Sequence, residues 1–93
     1  MDVATERSTQ LLDNDRVVVK EICMGPGEKM PMHSHPDYVI YSKSPCHVKF
    51  TNSDGSSEEV DLQPDQVLFR NKESHEVENL GAGVCDTILV ELK

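Results

Sequence analysis

Apolar residues in this chain come in short clusters and not at helical spacing, which limits the fold more than any other feature. Val17-Val18-Val19 lies inside residues 16–22, and three adjacent β-branched side chains favour a strand. Further strand signals fall at 37–41, 48–51, 60–62, 67–69, 75–79 and 84–92. Turn residues separate them: Gly25-Pro26-Gly27, Pro45, Asp54-Gly55, Pro64-Asp65 and Gly81-Ala82-Gly83. His75 to Asn79 alternates strictly, with Glu76 and Glu78 on one face and His75, Val77 and Asn79 on the other. Near the end, Ile88, Val90 and Leu92 share one face, and Leu89 and Glu91 the other. Many short strands with Gly/Pro turns predict an all-β sandwich or barrel.

A chain of 93 residues suffices for one compact core. The domain is expected over 13–93, with 1–12 a polar N-terminal extension available to pair with a partner. With 17 acidic and 9 basic residues, the net charge is -8. That balance excludes nucleic acid and anionic membrane surfaces as partners, because both need concentrated Lys and Arg. There is no apolar run of membrane-spanning length and no basic-then-apolar leader, so a cytoplasmic location is expected. The 3 cysteines, Cys23, Cys46 and Cys85, show neither disulfide-module nor CxxC spacing. Buried thiols in a reducing compartment are the expectation.

The chemistry lies in the histidines. His33 and His35 are one residue apart, so a strand places both rings on one face, with Cβ atoms roughly 6–7 Å apart. His75 lies on a second alternating segment. Three neutral imidazoles suit a divalent transition metal, with Fe, Mn, Ni, Cu, Co and Zn all open. Met24, Met30 and Met32 precede the pair and are expected in the core. His47 alternates with Lys49 and is expected on the exposed face.

Gly27, His33 and His35 match the first cupin motif, and His75-Glu76-Val77-Glu78-Asn79 matches the end of the second. A hairpin at Asp54-Gly55 stands between them. On these residues the chain resembles the cupins over about 11–92. The segment from Pro26 to Val39, with Glu58-Glu59-Val60 and Val90-Glu91-Leu92-Lys93, is similar to the small single-domain cupins of the beta-alanine degradation BauB-like group. The resemblance implies a small antiparallel double-stranded β-helix, or jelly-roll barrel. It implies His33, His35 and His75 as metal ligands, and a homodimer.

This sequence departs from the motif where the cupin glutamate should stand, at Val39 or Ile40. Three histidines without that glutamate resemble the Fe(II) thiol and diketone-cleaving dioxygenases. Three neutral ligands leave the ion its full charge, which favours a small anionic organic substrate. A dioxygenase with Fe(II) is therefore the favoured reading. A metal-dependent isomerase, or a metallo-cupin that binds or senses a ligand without turnover, is the alternative. In an unbroken strand Asp37 and Tyr41 share the histidine face. Both are candidate catalytic residues, and Asp37 or Glu73 is a candidate substitute carboxylate. On that parity Tyr38 points away.

Overall fold

The computed structural model describes residues 8–93, and these form nine strands and no helix. They are β1 (Ser8–Asp13), β2 (Val17–Met24), β3 (Lys29–His35), β4 (Tyr38–Ser42), β5 (Cys46–Asn52), β6 (Ser57–Leu62), β7 (Val67–Arg70), β8 (Glu73–Asn79) and β9 (Cys85–Leu92). A five-stranded sheet, β1-β2-β9-β4-β7, faces a four-stranded sheet, β3-β8-β5-β6, and every pairing is antiparallel. The all-β expectation and most of its strands are therefore correct. The sequence reading missed β1, because Ser8–Asp13 has almost no buried side chain to reveal a pattern. Part of the 1–12 extension is thus a strand hydrogen-bonded along β2 of its own chain. The rest of that extension lies outside the described residues.

Ile22, Met24, Ile40, Val48, Phe50, Leu62, Val77 and Leu89 fill the space between the sheets. Each comes from a strand whose alternate residues turn inward. β9 runs against a simple hydrophobic reading. Its inward face is Cys85, Thr87, Leu89 and Glu91, while Ile88 and Val90 are half-buried outside and Leu92 is exposed. Asn79 is 1% exposed and ties the closed end together. Its amide donates to the carbonyls of Met24, Gly25 and Gly83 at 3.0, 3.1 and 3.0 Å, and its Oδ1 accepts from Gly81 N at 2.9 Å. The Asp54-Gly55 turn closes the β5–β6 hairpin, with Gly55 at φ 91°, a conformation glycine adopts freely.

The cysteine expectation needs correction. Cys46 on β5 and Cys85 on β9 form a disulfide between the two sheets, with Cα atoms 5.1 Å apart. The strands meet there only across the sandwich, a pairing that residue spacing does not reveal. Cys23 is the free cysteine among the described residues. The argument from buried thiols to a reducing compartment therefore loses its basis. Among the described residues no helix is long and apolar enough to cross a membrane.

Outside, the five-stranded sheet carries a row of apolar residues in register. Leu12 pairs with Val19, Val19 with Val90, Val90 with Val39, and Val39 with Phe69. Phe69 and Leu12 at its ends are 54% and 48% exposed.

Candidate metal centre

His33 and His35 project from β3, and His75 stands directly opposite His33 on β8. The register slips between Met30 and His33, so β3 spends one more residue than β8 over this stretch. That bulge lets Met30 and His33, three residues apart, both face the interior. Pro31 sits inside it, where its missing N–H costs no ladder bond. Its carbonyl accepts from His33 Nδ1 at 2.7 Å. Met32, expected in the core, is pushed to the surface at 48% exposure by the same bulge.

The three rings converge. Their centroids lie 4.6 Å (His33–His35), 4.8 Å (His33–His75) and 5.1 Å (His35–His75) apart. One nitrogen from each falls within 4.8 Å of the others. His35 Nδ1 donates to Glu91 Oε2 at 2.5 Å, as His33 Nδ1 does to Pro31. Those two bonds fix the tautomer and leave both Nε2 lone pairs inside the cluster. His75 Nδ1 is buried without a hydrogen-bond partner, 3.5 Å from Glu73 Oε1. Its Nε2 is then the atom left for the cluster.

Aromatic walls hold the rings. Tyr38 stacks on His35 at 4.4 Å, and Phe50 lies nearly parallel to His75 at 4.7 Å. Arg70 covers the other side of Phe50, 4.5 Å from its centroid. Arg70 also grips Glu73 through Nε and a terminal nitrogen at 2.6 and 2.9 Å, and Tyr38 donates its hydroxyl to Glu73 at 2.6 Å. Burial opposes the charge on Glu73, but the Arg70 and Tyr38 hydrogen bonds outweigh it and hold the carboxyl at about 2. Burial, with repulsion from His33 and His35, pushes His75 down to about 4. Burial lowers His35 as well, against the pull of Glu91. Burial likewise opposes the charge on Glu91, yet its bonds from His35 and Lys20 hold it below the ordinary carboxylate range. The pair is thus a neutral imidazole donating to a carboxylate.

The structure brings His33, His35 and His75 together and places Asp37 and Tyr41 elsewhere. Pro36 and Asp37 make a turn between β3 and β4, so the parity of β3 does not carry into β4. Tyr38, Ile40 and Ser42 face inward instead of Val39 and Tyr41. Tyr41 donates its hydroxyl to Asp65 on the outside. Asp37 is exposed, and its Oδ1 accepts from Lys72 N at 2.8 Å. Glu73 is neither a cluster member nor a solvated loop carboxylate; it stands behind His75. His47 is bound by Asp61 and by Glu59 at 2.7 Å on the outer face, as its alternation with Lys49 indicates. Sequence reasoning missed Tyr38, Glu91 and Lys20. For Glu91 the signal was present, since it shares parity with Leu89 and therefore points inward.

The donor set fits a divalent transition ion. Three imidazoles converge, their second nitrogens face carbonyl or carboxylate oxygens, and a cavity of about 50 Å³ adjoins them. Among the described residues no carboxylate joins the three nitrogens. Ile22, Met30, Ile40, Val77 and Leu89 make the rest of that cavity apolar.

No protein-family model matches the chain. No curated protein matches it either. Solved structures do. A cupin domain from Bordetella pertussis Tohama I is 26% identical over 92% of this chain and 91% of its own, with a TM-score of 0.84. An RmlC-like cupin family protein from Methanocaldococcus jannaschii, described as a double-stranded β-helix, is 16% identical over 91% and 77%, with a TM-score of 0.70. The polyketide cyclase RemF from Streptomyces resistomycificus is 25% identical over 91% of this chain and 63% of its own, with a TM-score of 0.66. Two antiparallel sheets and these likenesses define the chain as a cupin-type double-stranded β-helix.

Proposed function

We propose that this chain is a small single-domain metallo-cupin, similar to the BauB-like group, that holds one divalent transition ion on Nε2 of His33, His35 and His75. The observation that carries this reading is the convergence of the three rings, with Nδ1 of His33 and His35 engaged elsewhere and their Nε2 atoms left free. When bound, such an ion supplies Lewis acidity and, if it is iron, electrons for dioxygen chemistry. The chain's own residues do the rest. Glu91 accepts from His35 and orients it, and Glu73 stands 3.5 Å behind His75. Tyr38 and Phe50 prevent ring rotation. The apolar wall excludes water from a bound organic molecule, which strengthens its polar contacts.

The favoured reaction is oxidation of a small anionic organic substrate by dioxygen with Fe(II). The make-up of the cluster supports it, since among the described residues it consists of three histidines and no carboxylate. A redox-silent role in isomerisation or ring closure, for which a bound ion would supply Lewis acidity, is the second reading, supported by the likeness to a polyketide cyclase. Oxygen uptake by the iron-loaded protein with thiol acids and 1,3-dicarbonyls tests the first. Turnover of an enolisable substrate by the zinc-loaded protein without oxygen uptake would select the second.

The homodimer belongs to the same proposal. Its support is the apolar row from Leu12 to Phe69 across all five strands. The sheet face is roughly 24 by 20 Å in plan, enough with side-chain relief to approach the ~800 Å² per partner of a stable interface.

A further inference from the structure

Beside the apolar cavity lies a larger open hollow of about 330 Å³. The two share the walls Ile22, Met30, His33 and His35, so the hollow is an approach to the histidine cluster. Its other lining is polar: Ser8 and Gln10 from β1, Lys20 from β2, Ser34 from β3 and Glu91 from β9. Register explains the gathering. Gln10 pairs with Lys20 and Ser8 with Ile22, and paired residues of antiparallel strands point to the same face.

Lys20 is the cation of this hollow. Its ammonium lies 3.2 Å from Glu91 Oε1, with side chains 31% and 10% exposed respectively. Both Glu91 oxygens are engaged, one by Lys20 and one by His35. An ammonium has three N–H donors, and the described residues occupy one of them. The Gln10 amide has no hydrogen-bond partner among the described residues. A protein of net charge -8 repels anions over most of its surface, so a cation with spare donors beside the cluster is a selective feature.

We infer that Lys20, with Gln10, forms a carboxylate-binding subsite for the outer end of the substrate, beside the Ser34 hydroxyl that is paired with Ser74 Oγ at 2.7 Å. The inner end reaches the histidine cluster with an oxygen donor. The substrate class is then a short acid with an oxygen donor at each end, a dicarboxylate or oxo acid, and not a neutral dicarbonyl. This rests on the metal reading above.

The test uses the zinc-loaded full chain, with binding of malonate, succinate, glutarate and propionate followed by calorimetry. Zinc keeps oxygen chemistry out of the readout. At least one diacid should bind ten-fold or more tighter than propionate. Lys20→Met should remove that advantage while zinc stoichiometry and propionate affinity stay within two-fold. Lys20→Arg should restore most of it. Diacid affinity unchanged in Lys20→Met, or no preference for diacids in the wild type, would overturn the subsite and leave the metal site standing. Loss of zinc in Lys20→Met would also overturn it, since Lys20 would then act only by holding Glu91. A wild type that takes up no zinc would overturn the metal reading itself and this inference with it.

Discussion

At the scale of single residues, the site depends on what stands behind each imidazole. His33→Ala or His75→Ala should abolish stoichiometric metal, measured by elemental analysis after dialysis, while His47→Ala should leave it unchanged. Glu91→Gln keeps an acceptor for His35 but removes the charge, and metal affinity should fall about ten-fold or more in a competition titration. The metal-free protein should also lose stability in acid. The unfolded chain protonates His75 near its ordinary 6.5, whereas the folded chain resists until about 4. Stability is therefore fully present above the ordinary value and drains as pH falls toward 4. Glu73, held at about 2 against an ordinary 4.5, extends the loss below that window. Thermal unfolding of chelator-treated protein across this range checks the prediction, and His75→Phe should flatten its upper half. The three histidines were legible because the His-x-His pair and His75 lie on alternating strands. Tyr38 was not legible, because the turn at Pro36-Asp37 resets which residues of β4 face inward.

At the scale of elements, most strands survive sequence reading because one face is buried, while β1 fails because neither is. β8 and β9 announce themselves by alternation, although β9 turns its more polar face inward to supply Glu91. β1 is nearly all exposed and carries no such signal. The bulge in β3 was equally hidden, since register depends on the partner strand. Asn79 shows how one side chain can fix several elements. Asn79→Ala strips a buried partner from three carbonyls and one N–H, and should cost about 3 kcal/mol in urea unfolding.

At the scale of the whole molecule, the sheets are joined by core packing and by Cys46–Cys85. The bond spans 39 residues of sequence, and its removal should cost roughly 2–4 kcal/mol. Urea unfolding of Cys46→Ala/Cys85→Ala against the wild type measures it. The proposed dimer should sediment at twice the chain mass, and Phe69→Glu should return it to monomer without changing metal content. The disulfide was not open to sequence reading, because it depends on which strands end up facing one another, whereas the homodimer was an expectation of the family resemblance alone.

The pairing of His33 with His75 joins strands from opposite halves of the chain. Of the three cluster histidines, an unfolded polypeptide holds only His33 and His35 near each other, and His75 joins them when β8 docks on β3. The complete three-nitrogen set of the proposed site therefore exists only once β3 and β8 have paired. Refolding in the presence of metal should then leave the rate of folding unchanged and slow only the reverse reaction.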